Sequence, residues 1–404
     1  MMTERVQRLK DRFLEAKPTI TAERILLATE GYKKYAGDAI PIFRAEVFAY
    51  VMERIQVHIR EDELIVGAMS SATRAALVFP EYQATDWLIS EMDQFATHPR
   101  DKMYVSDQDK EQIIACLKDY WRGKSLFDEV GSLLPEDAAY ALEHELISVG
   151  TRRAPSTETV PNYRKLLAVG LEGIIQECQE KLATVRGENK ELQEKVNFWK
   201  AGIIACRAVI RLAERYAQRA DELADQEQDP KRQAELRTIA ENCRTVPARS
   251  PQNFYQALQA IWFIHLAFHI ETPAHACSFG RFDQITYPYL QKEEREGCLD
   301  RQAAQEVLEC FFLKCNELIK IRDRWTATAF AGFPMWAILM VGGAPAFENQ
   351  FLGGELVLKN LLNDLSAQCL GQVCLPNSDR DSLETRPDIA EAVVALAKKM
   401  NNAE

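Results

Sequence analysis

The run Arg249–Leu290, RSPQNFYQALQAIWFIHLAFHIETPAHACSFGRFDQITYPYL, constrains the fold more than any other part of the chain. Ser250-Pro251 reads as a helix start, a hydroxyl able to cap free backbone N–H groups followed by a residue that lacks one. From Phe254 to Ile270 apolar residues fall on nearly every side of a helix, among them Ala257, Leu258, Ile261, Trp262, Ile264, Leu266 and Phe268. A helix of this kind needs apolar neighbours all round, so it predicts the spine of a large core. It is about as long as a membrane crossing, yet His265, His269 and the polar start argue against one. Pro273 predicts its end. The next residues concentrate reactive side chains: Glu271, His275, Cys277, Ser278 and the run Gly280-Arg281-Phe282-Asp283-Gln284.

The 404 residues, 47% of them hydrophobic, suffice to bury such a helix. A formal net charge of −11 disfavours nucleic acid and anionic membrane as partners, since both select for basic patches. The start MMTERVQRLKDRF is charged and amphipathic and carries no apolar signal region. Ten cysteines without a Cys-x-x-Cys pair, several in apolar helical surroundings such as Cys116, Cys206 and Cys310, suit reduced thiols and a cytoplasmic location.

Periodicity predicts helices over 3–16, 21–36 (started by Thr21), Pro41–Ile55, Asp86–Phe95 and Ser106–Trp121, the last with Ser106 as cap. The segment His58–Gly67 changes period and reads as a strand through Ile59, Leu64, Ile65 and Val66. Residues 123–163 read as irregular. A helix follows Pro161-Asn162-Tyr163, charge over Gln176–Lys195 indicates a solvent-facing helix, and Trp199–Leu223 with Pro230–Cys243 reads as a helical hairpin broken at Asp229-Pro230. Beyond the central stretch, Asp300–Ile321 is helical and Ala329–Gly343 reads as a buried strand and turn. Gly353-Gly354, Asn360–Ser366, a strand at Val373–Pro376 and a helix at Pro387–Met400 complete the pattern. Few strands, each apolar enough to be covered on both faces, suit a predominantly helical α/β chain built as a barrel wrapped by helices.

Two constellations carry candidate chemistry. His265 and His269, four apart on one helix face and followed by Glu271 and His275, are either the start of a metal site or two core histidines satisfied by hydrogen bonds. No Glu stands between them as in a His-Glu-x-x-His motif. Cys277-Ser278 beside His275 reads either as a nucleophile with its base or as a segment lining a substrate pocket. In an extended chain His275 shares a face with Cys277, not with Ser278.

Four segments in one order carry a family resemblance. They are Ile59–Tyr82 (IREDELIVG…PEY), Asp229–Leu266 (DPKR…VP…FYQALQ), Gln252–Leu290 with Ser278-Phe279-Gly280-Arg281-Phe282-Asp283-Gln284, and Phe330–Gly343 (FAGFP…VGG). On these the chain resembles the glycyl radical enzymes, the pyruvate formate-lyase-like family that includes formate C-acetyltransferase. The resemblance implies the N-terminal half of a ten-stranded α/β barrel, with 1–250 as mainly helical outer layers and 251–404 as buried helices and barrel strands. It implies anaerobic radical cleavage of C–C, C–O, C–N or C–S bonds in a small-molecule substrate. No cofactor would be bound directly, and a radical-SAM activating enzyme would install the radical.

The resemblance also distributes roles. Ser278 would lie against substrate, and Arg281 with Asp283 would form a structural ion pair. Diol-dehydratase members carry a histidine before Pro-Asp-Tyr and a tyrosine in FAGYP, where this chain has Glu158 and Phe333. A pocket of Ser278, Glu158, Phe333 and Trp336, with Met335 near, leans away from glycerol or propanediol and toward an acyl, aryl or unassigned substrate, the alternative being that the aromatics are simply core. The family's thiyl-forming Gly-Cys-x-Glu or Cys-Cys loop and its Arg-Val-x-Gly-Tyr segment do not occur, and Cys369 and Cys374 lie in other contexts. The resemblance therefore implies no catalytic residue within these 404 residues. It leaves open a truncated enzyme, completed by a C-terminal half or existing as a homo-oligomer, or an inactive scaffold or partner subunit.

Overall fold

Short polar side chains mark where this chain turns into helix. In the computed structural model, Thr3 accepts from the Val6 amide at the head of α1 (Glu4–Glu15). The model describes residues 3–340 except 84, 145, 147–156, 188, 334, 336 and 338, and only the backbone of Glu143, Ala329, Leu339 and Met340. The readings at Trp336, Gly353-Gly354, Asn360–Ser366, Cys369, Cys374, Val373–Pro376 and Pro387–Met400 lie outside the described residues.

Thr21 does not open the second helix as expected, because Thr19–Thr21 forms β1, and α2 (Glu23–Lys34) follows. α3 (Ile40–Arg54) has Pro41 in its first turn, where a missing N–H costs nothing. β2 (Ala75–Leu77), α4 (Thr85–Glu91), a 3₁₀ turn at Phe95–Thr97 and β3 (Tyr104–Val105) come next. Ser106 caps α5 (Asp107–Cys116) as expected, accepting from the Asp109 amide at 3.0 Å, and a π turn continues it to Trp121. The stretch read as irregular holds α6 (Leu126–Ser132), closed by a Ser125–Asp128 capping box, α7 (Glu136–Glu143) and β4 (Thr157–Thr159).

α8 (Tyr163–Thr184) and α9 (Lys190–Gln226) divide the charged run into two helices, the second capped by Asn189. α10 (Pro230–Thr245) starts at Pro230 behind the Asp229 cap and packs back on α9 as the predicted hairpin. α11 (Phe254–Glu271) is the central helix. Its cap is Asn253, not Ser250, whose hydroxyl instead donates to the Ala168 carbonyl at 2.7 Å. β5 (Ala274–Cys277), β6 (Gly280–Arg281), α12 (Phe282–Arg295), α13 (Arg301–Asn316), α14 (Arg324–Ala329) and β7 (Leu339–Met340) complete the order. The long strand expected across Ala329–Gly343 is thus limited, among the described residues, to the two of β7.

Among the described residues all strand pairings are parallel: β2-β1-β3, β4-β5 and β6-β7. The larger core surrounds α11, on which Leu258, Ile261, Trp262, Phe263 and Leu266 are fully buried. Truncating a residue such as Trp262 costs about 3–5 kcal/mol in a core of this density. A smaller core under the first sheet gathers Ile20, Ile25, Trp87, Leu117 and Trp121. Among the described residues no helix is long and apolar enough to cross a membrane.

The strand expected over His58–Gly67 is absent. Its irregular backbone is satisfied by side chains of neighbouring helices instead of a second strand. Gln259 donates to the Val66 carbonyl at 2.8 Å and accepts from the Val66 amide at 3.0 Å. Trp262 Nε1 donates to the Gly67 carbonyl at 3.1 Å, and Tyr255 donates to the Leu64 carbonyl. Gly67 sits at φ 128°, and a Cβ there would come within 2.7 Å of the Trp262 indole nitrogen. Arg24, almost fully buried, ties the Phe-Pro-Glu-Tyr turn to the end of α11. It donates to Glu81 at 2.6 Å, the Val78 carbonyl at 3.2 Å, the Ile270 carbonyl at 2.6 Å and the Glu271 carbonyl at 3.1 Å.

Candidate active site at the β4–β5 strand end

Two aromatic residues of the central motif fix its position. Phe279 stacks on His265 of α11 with ring centroids 4.4 Å apart, and Phe282 lies 5.4 Å from Phe311 of α13. Between them Gly280 takes φ 63°, a conformation open to glycine, and a Cβ there would press on Val160 at 3.3 Å. Ser278 is held between these anchors at the end of β5.

β5 meets β4 in parallel with an irregular register: Thr157 pairs with Ala274, Thr159 with Cys277. The extra residue is accommodated at Ala276, whose φ of 57° is unfavourable for a side chain with a Cβ. The Ala276 amide donates to the Met335 carbonyl at 2.7 Å, and the Ser278 amide to the Thr159 carbonyl at 2.9 Å. The pairing brings Glu158 and Ser278 to the same strand end, Glu158 exposed and Ser278 nearly buried.

The other residues selected from sequence divide. Phe333 packs into the smaller core with Arg74 over its ring at 5.1 Å, and the Asp101 carboxylate accepts from the Gly332 and Phe333 amides at 2.7 and 3.0 Å. Its ring is therefore placed on the first-sheet side, while its neighbour Met335 reaches β5 through its carbonyl. Arg281 Nε lies 3.8 Å from Asp283 Oδ1, at the start of α12, where a carboxylate is favoured by the helix dipole. Burial pushes the Cys277 thiol up to about 12, which leaves it protonated and a poor nucleophile at neutral pH. His275 faces Arg322, with Nε2 3.4 Å from the guanidinium.

His265 and His269 are both core residues. His269 Nδ1 donates to the His265 carbonyl at 2.8 Å, and His265 Nδ1 lies 3.4 Å from the Tyr163 hydroxyl. Burial lowers the pKa of both, His269 to about 4, so both rings are neutral at pH 7. Among the described residues no group of three or more His, Cys, Asp or Glu is placed to hold a metal ion.

Sequence reasoning missed Lys320, Arg322 and Asp101. Lys320 follows α13 in the apolar run Leu318-Ile319-Lys320-Ile321, is 5% exposed, and donates to the Pro273 carbonyl at 3.2 Å, at the head of β5. Burial brings its pKa down to about 7, the Arg322 charge adding to the fall and Glu158 opposing it. Arg322 is 2% exposed, with Asp101 at 3.6 Å. The signal available was a lysine inside an apolar run, which is uncommon without a partner.

A cavity of about 610 Å³ lies elsewhere, where α1 and the Ile59–Asp62 segment meet the α9–α10 turn. Its walls include Arg5, Arg8, Asp62, Arg232 and Glu235, joined to one another by ion pairs that hold the elements together.

The pyruvate formate lyase-like family model matches residues 2–349. The chain belongs to that family, the glycyl radical enzymes. It is 32% identical over 352 residues to the probable dehydratase YbiW of Escherichia coli, covering 86% of this chain and 43% of the relative. The glycerol-bound B12-independent glycerol dehydratase of Clostridium butyricum superposes with a TM-score of 0.85 at 32% identity, over 93% of this chain and 47% of that one. A glycyl radical enzyme of Archaeoglobus fulgidus gives a TM-score of 0.85 at 28% identity, over 97% and 50%. The fold is that of the glycyl radical enzyme barrels, and the chain spans about half the length of the relatives it matches.

Proposed function

We propose that this chain supplies the substrate-holding wall of a glycyl radical dehydratase, an enzyme that removes water from a small hydroxylated molecule. The observation that supports the reading is the β4–β5 pairing, which runs the strand that carries Glu158 alongside the strand that leads into the motif serine, Ser278. Loss of hydroxide from a carbon next to a radical needs a proton delivered to the departing oxygen and a donor to hold the substrate. Glu158 is suited to the first task and the Ser278 hydroxyl to the second.

The radical chemistry draws on a cysteine and a glycyl segment whose motifs are outside these 404 residues, and a radical-SAM activating enzyme would install the radical. In this reading the chain works with a complementary C-terminal half. The dehydratase relatives favour elimination over acetyl transfer. Glu158 in place of a hydroxyl-binding histidine sets the substrate apart from glycerol and propane-1,2-diol. Burial of Ser278 and Cys277 behind the strand end keeps water from one side of the pocket.

The test is complementation. The chain is co-expressed with the C-terminal half of a dehydratase relative and treated anaerobically with the activating enzyme and S-adenosylmethionine. It is then offered a panel of small hydroxylated acids and diols. A glycyl doublet in electron paramagnetic resonance with water elimination from a panel member supports the reading. Ser278→Ala and Glu158→Gln should each lower turnover about 100-fold or more. A doublet without elimination, or full turnover in both variants, refutes it.

A further inference from the structure

We infer that Asp101 is a positioning residue for Ser278, linking the first-sheet layer to the β4–β5 strand end through the turn that carries Gly332, Phe333 and Met335. The inference deepens, and rests on, the reading of that strand end as the substrate-holding wall. Asp101 lies between the 3₁₀ turn at Phe95–Thr97 and β3. Its loop is pinned just beyond it, where the Met103 amide donates to the Phe95 carbonyl at 3.1 Å and the Tyr104 amide to the Pro18 carbonyl at 2.8 Å. The Asp101 side chain is 5% exposed, so its carboxylate has a fixed place from which to hold other groups.

Two routes run from this carboxylate to adjacent residues of β5. In the first, Oδ1 accepts from the Gly332 amide at 2.7 Å and Oδ2 from the Phe333 amide at 3.0 Å. Hydrogen bonds from amides to a carboxylate are charge-assisted and stronger than those to a neutral acceptor. Gly332 is exposed, and a Cβ there would meet no atom within 4 Å, so hydrogen bonds rather than packing hold the turn at that point. The turn delivers the Met335 carbonyl to the Ala276 amide at 2.7 Å. In the second route Arg322, 3.6 Å from Asp101, comes within 3.4 Å of His275 Nε2. Ser278 follows Ala276 by two residues, its amide on the Thr159 carbonyl at 2.9 Å.

Backbone conformation marks the first route. Among the described residues four other than glycine have positive φ, and three of them stand on it: Asp101 at 48°, Phe333 at 54° and Ala276 at 57°. Each is held against its local preference, which persists only where surrounding bonds over-determine it. Here those bonds join end to end. The loop fixes Asp101, the Asp101 carboxylate fixes Phe333, and the Met335 carbonyl fixes Ala276. Removing the carboxylate lets the turn relax and withdraws the acceptor that holds the bulge before Ser278.

Hydrogen–deuterium exchange of the full chain, read by mass spectrometry, tests this. Asp101→Gly removes the carboxylate while accepting the φ of 48° without strain. In that variant residues 331–335 and 274–278 should both exchange about tenfold faster or more, because the bonds that protect them are lost together. Asp101→Asn, which keeps the shape and one acceptor oxygen, should fall between Asp101→Gly and the parent. Residues 257–268 of α11 should keep the parent's rate. Faster exchange at 331–335 alone would show that Asp101 holds only its own turn, and faster exchange in α11 as well would show a general loss of stability; either overturns the inference. If Asp101→Gly does not fold, Asp101→Asn decides alone. In the complemented complex Asp101→Asn should lower turnover in the parent but not in a Ser278→Ala background, since the effect passes through Ser278. An equal further loss in that background overturns the inference. Coupled exchange in a complex that eliminates no water would support the positioning role and sink the dehydratase reading instead.

Discussion

Glu63 is the acidic residue whose loss the fold should tolerate least. It is 3% exposed and belongs to a four-charge cluster that links the Asp-Glu-Leu-Ile-Val-Gly segment to α13. Lys314 Nζ lies 2.5 Å from Glu63 and 3.0 Å from Glu317, while Arg60 lies 3.0 Å from Glu63 and 3.3 Å from Glu317. The Arg60 amide also donates to Glu63 at 2.9 Å. Two acids thus balance two bases, with Glu63 and Lys314 almost fully buried and Arg60 and Glu317 at the partly exposed edge. Glu63→Gln removes one negative charge and strands Lys314 on Glu317 alone. Breaking a buried pair in this way costs about 3–5 kcal/mol. Lys314→Met leaves two carboxylates against Arg60, and Glu317, whose pKa burial raises, is the one that takes up a proton.

Urea unfolding followed by circular dichroism at pH 7 measures both single variants and the double. Each single change should lower stability by about 3–5 kcal/mol, and the double should cost about 2–3 kcal/mol less than their sum, because the second removal relieves the charge left by the first. The pH profile supplies a second reading. Burial opposes ionisation of Glu63, but Lys314 and Arg60 outweigh it and hold its pKa below the usual value. Its contribution is therefore present above about pH 4.3 and is lost as pH falls through the lower folded value. Glu63→Gln should lack that acid limb. A loss under about 1 kcal/mol in Glu63→Gln, or strict additivity in the double, would refute the cluster as a closed buried network.

Three further outcomes are expected. Gln259→Leu should destabilise the chain by about 2–4 kcal/mol, because the buried Val66 amide and carbonyl both lose their partner; a Tm within a degree or two of the parent would refute it. Ala276→Gly should raise stability by about 1 kcal/mol by relieving the φ of 57°, and an unchanged or lower Tm would show that the position is unstrained. Lys320 has its folded pKa lowered to about 7 against about 10.4 unfolded, so the burden of its buried charge is full below pH 7 and lifts as pH rises toward 10. The difference in stability between the parent and Lys320→Met should therefore change across that window, and a flat difference would contradict the shift.

What could be read from the sequence was whatever a single periodicity decides. The all-round apolar pattern of Phe254–Ile270 had one physical solution, a buried helix, and α11 is that helix. Helix ends depended on which of several capping residues was used. Ser250 and Asn253 were both competent, and only the Ala168 carbonyl, far away in sequence, drew Ser250 off. The Leu64-Ile65-Val66 run carried a strand's composition but found its hydrogen bonds in the side chains of Gln259, Trp262 and Tyr255, partners no local pattern reveals. At the site, Ser278 and Glu158 were reached through motif positions, and the β4–β5 register then brought them together. The motif position of Phe333 left pocket and core both open, and Asp101 and Arg74 hold it on the first-sheet side.

Several motifs that carry the family resemblance share a structural reason for being recognisable: they close around α11, two of them by satisfying buried polar groups. The Asp-Glu-Leu-Ile-Val-Gly segment rests its backbone on Gln259 and Trp262, the Phe-Pro-Glu-Tyr turn binds Arg24, which caps the carbonyls of Ile270 and Glu271, and Phe279 of the central motif stacks on His265. Changing Gln259, Trp262 or Arg24 strands its partners in the core, at about 1–3 kcal/mol per orphaned group. Glu158 stands under no such constraint, being exposed on a short strand that pairs through its backbone. In the proposed reading, substitution there would change what the site binds while leaving the core intact.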